Sequence, residues 1–296
     1  MKTILAVGFV CLSGVFVFAQ KAKPTPAPPA KPVVFAVLGD GKVLEPLAYI
    51  NKGKLEATVT GGDSPNTIAA FNRRYYKPGT VYRLIFGGAD AGTVTVKSSN
   101  YKSDCSKNIG VAVTKSPKTI KGLVMGLAAS SAAKEPTGVR RRPTDAEREE
   151  IEDLVRAEYA RQKLTPKMLR YHNLTALDLE NDGKVEFVGS YWIEIDRLTR
   201  GLLFFIAGKA SNDKYSLGYS EYREIDQSKV MSGEIKSVDE GVGHELLLDV
   251  YDFDGDGISN IFTYQQSFEG AGFTAYRKNG SKWVKAFEGS NYHCGY

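Results

Sequence analysis

The sequence predicts a mainly β protein of two domains, and three observations support this fold class. Residues 33–129 carry short runs rich in Val, Ile, Leu, Tyr and Thr, separated by turn signals such as Asp-Gly and Lys-Pro-Gly. A single amphipathic helix pattern begins at Thr144, and strand-like runs resume after Pro166. We therefore expect a small N-terminal β-sandwich or barrel-like domain, followed by an α+β domain in which one helix packs on an antiparallel sheet.

The first residues, 1–19, have the pattern of a secretory signal peptide. Lys2 precedes an apolar run from Ile4 to Phe18, and the small residue Ala19 follows at a suitable cleavage position. The run is shorter than the about 20 apolar residues that span a membrane. Residues 20–32 form a tether rich in Pro, Ala and Lys that cannot build a core. We predict an exported protein, secreted or held in the periplasm or cell envelope, with no transmembrane segment after signal removal.

Residues 33–129 form the predicted β domain. No amphipathic helix of useful length separates its apolar runs, which disfavours a parallel α/β sheet. Residues 130–143 are polar and contain the cluster Arg140-Arg141-Arg142. Three charges on such a segment present no shaped surface for phosphate, so we expect a solvated linker. The formal net charge of the whole chain is only +5, which does not indicate a nucleic-acid partner.

Residues 144–296 form the predicted α+β domain. Thr144 is a good N-cap and Glu147 lies three residues later, which is the pattern of a capping box. Apolar residues then recur at helical spacing to about Gln162. Strand-like runs follow, and Asn279-Gly280 between two alternating runs is a strong signal for a β-hairpin.

Two acidic segments of this domain align without a gap. They read DLENDGKVE at residues 178–186 and DFDGDGISN at residues 252–260. Both have oxygen-bearing side chains at positions 1, 3, 5 and 9 and glycine at position 6, and hydrophobic residues flank both. We interpret them as two copies of one strand-loop-strand unit. Asp-Gly is also a common hairpin turn, so a metal-free turn is the competing interpretation.

The spacing suits a calcium ion, which takes about six to eight oxygen ligands in a flexible geometry. Carboxylates at positions 1, 3 and 5 of a tight loop converge on one point, and glycine at position 6 permits the sharp turn. The carbonyl at position 7 and the side chain at position 9 add two more ligands. An EF-hand would also need glutamate at position 12, between two helices. Position 12 is Gly189 or Thr263 and the flanks are strands, so an EF-hand is excluded.

These segments resemble the calcium loops of FG-GAP and VCBS-type repeats, which are strand-loop-strand turns of integrin-like β-propellers. For the second loop the resemblance implies Ca2+ ligation by the side chains of Asp252, Asp254, Asp256 and Asn260 and by the carbonyl of Ile258. For the first loop it implies the side chains of Asp178, Glu180, Asp182 and Glu186 and the carbonyl of Lys184. Glu180 departs from the family pattern, because it is longer than the usual Asp or Asn at position 3.

The number of copies also departs from the family. A propeller needs at least about four blades of four strands each, and two copies in a domain of this length cannot supply them. We therefore expect a domain that is not a complete β-propeller. The rest of the chain carries no signature of a known family.

Few other residues suggest chemistry. Cys105 and Cys294 remain after signal removal, and a disulfide between them or two free thiols are both open. The three histidines, His172, His244 and His293, are too scattered in sequence to define a zinc site. The sequence contains none of the common catalytic or phosphate-binding motifs, so it identifies no catalytic or cofactor-binding residue.

The sequence thus predicts an exported, non-catalytic protein whose second domain binds Ca2+ structurally and which binds an extracellular protein or glycan. The alternative is a secreted hydrolase in which the calcium loops are structural and the active site lies between the domains. A third interpretation is an envelope protein whose acidic loops are metal-free turns.

Overall fold

A computed structural model describes residues 30–130, 138–210, 213–230, 237–267 and 269–293. The predicted signal peptide, most of the tether and Cys294 lie outside these ranges. Within them, no helix combines the length and the apolar character that a membrane span requires. The chain is mainly β, as the sequence predicts, and its sheets are antiparallel.

A closed six-stranded barrel forms the N-terminal part of the described chain. Its strands follow the order β1-β7-β4-β5-β6-β2, and β1 also pairs with β2 to close the ring, while β3 extends the sheet beyond β2. The strands are β1 (Val33–Leu38), β2 (Val43–Asn51), β3 (Lys54–Ala57), β4 (Val81–Phe86), β5 (Ala89–Ser99), β6 (Gly110–Lys115) and β7 (Gly126–Ala129). Of the two alternatives that the sequence left open for this region, the structure shows the barrel.

A helix packs one face against the core of this barrel, and the expectation that the region contains no useful helix is wrong. The helix α1 (Pro65–Tyr75) begins after Ser64, whose hydroxyl oxygen accepts a hydrogen bond from the Thr67 N–H. Proline is favourable at the first helical position, where its missing N–H is not needed. Phe71 packs against Phe35 of β1, with ring centroids 6.4 Å apart, in the barrel core. The Ser-Pro pair therefore starts a helix where the sequence suggested only a turn.

Two four-stranded meanders follow, where the sequence predicted a single antiparallel sheet. The first meander comprises β9 (Arg170–Leu177), β10 (Glu186–Asp196), β11 (Thr199–Lys209) and β12 (Tyr215–Asp226), and the short β8 (Arg140–Arg141) pairs with β9 at its edge. The second meander comprises β13 (Glu245–Tyr251), β14 (Asn260–Ser267), β15 (Gly270–Asn279) and β16 (Lys282–Tyr292). The predicted hairpin at Asn279-Gly280 is confirmed, since it joins β15 to β16.

The predicted helix after Thr144 is also confirmed. It is α2 (Asp145–Arg161), and both hydrogen bonds of the capping box with Glu147 are present. Its buried residues Ile151, Val155 and Tyr159 pack on the first meander. Two short turns complete the described helices, a 3-10 turn at Gln227–Lys229 and the one-turn helix α3 (Val238–Gly241).

Strands β13, β14 and β15 of the second meander pack on both faces, because they lie between the barrel and the first meander, whereas β16 is mostly exposed. Neighbouring side chains of a strand point to opposite faces of the sheet, and the side chains of β14 are packed on both faces. Phe262 packs with barrel residues such as Val34, whereas Ile261 packs with Val188 of the first meander. The acidic loop that precedes β14 is therefore held from both sides.

A buried ion pair links β8 to the second meander where both contact the barrel. Arg140 Nη1 lies 3.1 Å from Asp249 Oδ2, and the two side chains are 7% and 0% exposed. The same guanidinium donates hydrogen bonds to the carbonyls of Met125 and Leu248. Burial raises the pKa of Asp249 to about 6, although the charge of Arg140 acts in the opposite direction. The arginine cluster is thus partly buried rather than a wholly solvated linker.

A second polar cluster joins the last strand to the barrel. The buried carboxylate of Glu45 accepts hydrogen bonds of 2.7 Å from Asn291 Nδ2 and from the ring of His293. Asn291 Oδ1 in turn accepts from the Gly61 N–H and from Asn108 Nδ2. These contacts satisfy a carboxylate that would otherwise be costly to bury.

Candidate metal centre

The two acidic loops occupy equivalent places in the two meanders. Residues 178–185 connect β9 to β10, and residues 252–259 connect β13 to β14. In each case the ninth residue of the motif, Glu186 or Asn260, is the first residue of the second strand. Each acidic loop therefore joins the first two strands of a four-stranded meander, which is the strand-loop-strand setting that the sequence predicts.

Backbone hydrogen bonds shape the second loop around its first carboxylate. Asp252 accepts from the Gly255 N–H at 2.6 Å and from the Gly257 N–H at 3.1 Å, and Asp256 accepts from the Ile258 N–H at 2.8 Å. Both glycines have positive φ angles, 78° and 91°. Such angles are strained for most other residues, so the glycines allow the carboxylates to turn towards one point.

Three carboxylates of this loop converge. Asp252, Asp254 and Asp256 each offer an oxygen, and these oxygens lie within 4.8 Å of one another. In the described part of the chain, this is the one cluster of three or more acidic, histidine or cysteine side chains with that spacing. Burial raises the pKa of Asp254, and the neighbouring charges of Asp256 and Asp252 raise it further. A bound cation would remove this repulsion.

Several oxygens at the same loop are buried without a hydrogen-bond partner. They are Asp254 Oδ1, Asn260 Oδ1 and Ser259 Oγ. Asn260 is only 1% exposed, so bulk solvent does not reach it. A buried acceptor without a partner typically costs about 1–3 kcal/mol. A cation bound by Asp254 and Asn260 would remove this cost, and the donor set consists of the hard oxygens that Ca2+ prefers.

The barrel covers one side of the second loop. Gly53, in the turn between β2 and β3, has a φ angle of 71°, and a Cβ added there would lie 3.3 Å from Asp254 Cβ. The glycine therefore lets the barrel backbone approach the central carboxylate closely. This cover explains how Asp254, in a loop, has a buried oxygen.

The first loop has similar backbone geometry. Asp178 accepts from the N–H groups of Asp182 and Gly183 at 3.2 and 3.1 Å, and Asp182 accepts from the Lys184 N–H at 2.9 Å. Lys184 Nζ is 3.9 Å from Asp182 Oδ2. The carboxylate at position 5 makes the same bond in both loops. The carboxylate at position 1 accepts from positions 5 and 6 in the first loop and from positions 4 and 6 in the second.

Positions 3 and 9 of the first loop differ from those of the second. Glu180 forms an ion pair with Lys278 of β15. Glu186 Oε2 accepts a hydrogen bond of 2.9 Å from the Leu179 N–H, and burial raises the pKa of Glu186 to about 7. The charge of Lys278 partly opposes that rise. In the first loop, Lys278 therefore supplies positive charge at position 3, where the second loop has the unpaired oxygen of Asp254.

The loops also contact each other. The Ser259 N–H donates to the carbonyl of Leu179 at 2.8 Å, and Asn181 Nδ2 donates to the carbonyl of Gly257 at 3.1 Å. Ile258 packs at the margin of the core between the meanders. Ligation by the carbonyls of Ile258 and Lys184 stays a prediction.

The structure brings two of the three histidines together, although they are far apart in the sequence. The ring centroids of His172 and His244 are 3.8 Å apart, whereas His293 bonds to Glu45. His172 lies near the start of β9 and His244 directly precedes β13. The alignment on the acidic loops does not pair the two histidines, because His172 lies six residues before Asp178 and His244 lies eight residues before Asp252.

Cys105 is disulfide-bonded. Its predicted partner Cys294 lies outside the described residues, so the Cys105–Cys294 pairing stays a prediction.

Comparison with known proteins gives no family for this chain. No protein-family model matches it, and no curated protein or solved structure shows significant similarity to it.

Proposed function

We propose that the second acidic loop binds one structural Ca2+ ion, in an exported, non-catalytic protein that binds an extracellular protein or glycan. One observation carries the calcium proposal. Three convergent carboxylates stand beside the buried, unpaired oxygens of Asp254 and Asn260. The ion would be held by Asp252, Asp254, Asp256, Asn260 and the carbonyl of Ile258, and it would neutralise the loop and stiffen its contact with the barrel.

We also propose that the two acidic loops are related to FG-GAP and VCBS-type calcium loops. This proposal is supported by their position, because each acidic loop lies at the first connection of a four-stranded antiparallel meander. We propose that residues 144–296 form a domain built on two such units rather than a complete propeller, and that residues 33–129 form the first domain. Export rests on the signal-peptide pattern of residues 1–19.

Calcium titration by calorimetry, together with thermal melting in EDTA and in calcium, tests the proposal. We expect one saturable site and a melting temperature that rises with calcium, since a ligand at about 100 times its Kd stabilises the folded state by about 2.7 kcal/mol. Asp254→Asn should lose both effects. The matched control Asp153→Asn, at an exposed position of α2, should keep them. If the unaltered protein shows neither heat of binding nor a calcium-dependent melting temperature, the proposal is wrong.

Asp254→Asn also separates metal binding from general damage to the loop. The substitution removes one of three repelling charges, so in EDTA the variant should melt no lower than the unaltered protein. A variant that is strongly destabilised in EDTA would show that Asp254 acts through protein contacts rather than through a metal.

A further inference from the structure

A cleft of about 610 Å³ lies beside the paired histidines. We call it the histidine cleft and define it by His172 of β9, Arg223 and Ile225 of β12, His244 and Leu246 at the start of β13, and Tyr264 of β14. Both meanders contribute to it, and its volume lies within the range of about 300–1,000 Å³ that is usual for small-molecule sites. The acidic loops are not among its lining residues.

The two imidazoles are neutral near pH 7. Burial lowers the pKa of His172. It also lowers the pKa of His244 to about 3, and the neighbouring His172 and Arg223 contribute to that decrease. A neutral imidazole keeps one N–H donor and one acceptor. His172 and His244 can therefore donate hydrogen bonds to a ligand while they carry no charge themselves.

Arg223 supplies the fixed positive charge. Its guanidinium donates a hydrogen bond of 3.2 Å to the carbonyl of Gly243, and among the described residues no carboxylate forms an ion pair with it. The nearby Lys229 differs, because Asp226 lies 3.3 Å from its ammonium group. A guanidinium has five N–H donors in a planar fork that matches a carboxylate, and most of those donors are not used by the described residues.

The same features disfavour a metal ion. Arg223 would repel a divalent cation in the same cleft. Among the described residues, no third histidine, cysteine or acidic side chain forms a metal-binding group with His172 and His244. Glu240 also lines the cleft, but its side chain is exposed, and both Arg223 and Lys229 line the same cleft. The arrangement therefore suits an anion better than a cation.

Part of the cleft lining is apolar. Ile225, Leu246 and Tyr264 are each partly exposed there. A free inorganic anion would leave this surface in water, whereas a hydrocarbon or aromatic group would cover it and gain about 25 cal/mol for each Å² of apolar surface buried.

We propose that the histidine cleft binds a small organic carboxylate. The carboxylate pairs with Arg223 and accepts from the imidazole pair, and the apolar body of the ligand lies against Ile225, Leu246 and Tyr264. This site is separate from the calcium loop, so its test does not depend on calcium binding.

Titration calorimetry in EDTA at pH 7 tests the inference. The probes are acetate, butyrate, 4-phenylbutyrate, the neutral 4-phenylbutyramide and inorganic phosphate. We expect saturable binding that strengthens from acetate to 4-phenylbutyrate. Arg223→Gln should weaken it by at least about tenfold, because a charge-assisted pair is lost, and Arg223→Lys should give an intermediate affinity. Arg156→Gln on α2 is the matched control and should bind as the unaltered protein does. Melting curves verify that each variant folds.

Several outcomes overturn the proposal. The first is no saturable binding of any carboxylate up to about 10 mM, which corresponds to less than about 3 kcal/mol of binding free energy. The second is binding of 4-phenylbutyramide as tightly as of 4-phenylbutyrate. The third is equal affinity of Arg223→Gln and the unaltered protein. Phosphate binding as tight as that of 4-phenylbutyrate would show that the apolar part of the lining contributes nothing, and it would also reject an organic carboxylate.

Discussion

Replacement of Asp249 by asparagine tests the junction between the barrel and the second meander. The substitution keeps the size of the side chain and one oxygen that can accept from the Gly87 N–H, which now donates to both carboxylate oxygens at 2.9 and 3.0 Å. It removes the negative charge that faces Arg140 at 3.1 Å. Arg140, with a side chain only 7% exposed, is then a buried cation without its counter-ion.

The expected loss is large because the pair is buried. Removal of one partner of a buried ion pair costs about 3–5 kcal/mol. Because the hydrogen bond from Gly87 remains, we expect the loss of stability in Asp249→Asn to lie near the lower end of this range, at about 3 kcal/mol. For a protein of this size, that loss corresponds to a decrease of about 6–12 °C in melting temperature. The double variant Arg140→Met/Asp249→Asn should recover part of it, because neither charge is then left alone.

Urea unfolding of the two single variants and the double variant gives the coupling energy. We expect the two substitutions to be non-additive by more than about 1 kcal/mol, as is usual for residues in direct contact. The exposed-site variant Asp153→Asn serves as the control. Additive effects, or an Asp249→Asn variant within about 0.5 kcal/mol of the unaltered protein, would refute the reasoning.

Three further predictions follow from named contacts. The hydrogen bond to Glu45 raises the pKa of His293 above its ordinary value of 6.5. The protonated imidazole therefore stabilises the fold fully below pH 6.5, and this stabilisation is lost as the pH rises through the folded-state pKa of His293. The urea midpoint of the unaltered protein should therefore fall between about pH 6 and 8.5. In His293→Gln this pH-dependent fall should be smaller, and a fall as steep as in the unaltered protein would contradict the prediction. Thr144→Ala removes the hydroxyl that accepts from the Glu147 N–H and should cost about 1 kcal/mol, whereas the exposed Thr165→Ala should cost little in the same urea assay. Lys278→Met removes the cation beside Glu180, and calorimetry should then give two bound calcium ions per chain instead of one. The control Lys282→Met should still bind one. If Lys278→Met also binds only one, Lys278 does not keep calcium from the first loop.

Local signals predicted the parts of this fold that depend on local chemistry. The capping box at Thr144 and the Asn279-Gly280 turn each act within a few residues, and both are confirmed. The acidic loops were found because their ligand spacing is a property of one short segment. The helix α1 was missed because Asn, Thr and aromatic residues in its sequence are weak helix formers. It is stabilised instead by its Ser64 cap and by packing of its buried face against the barrel core.

Contacts between distant residues were not predictable in the same way. The division of the second region into two sheets depends on which strands pair, and the alternating pattern of each strand does not specify its neighbour. His172 and His244 meet because the two meanders pack together. The partner of Arg140 likewise lies more than a hundred residues away, so a cluster that looks solvated in sequence is partly buried in the fold.

The contact between Glu45 and the last strand has a consequence for synthesis of the chain. A ribosome makes the barrel strand that carries Glu45 early and the strand that carries Asn291 late. Until β16 emerges, the carboxylate that is 1% exposed in the finished fold has neither Asn291 nor His293 as a donor, and it must remain hydrated. An N-terminal fragment that ends before β16 lacks both donors, so we expect its barrel to be less stable than the barrel of the whole chain.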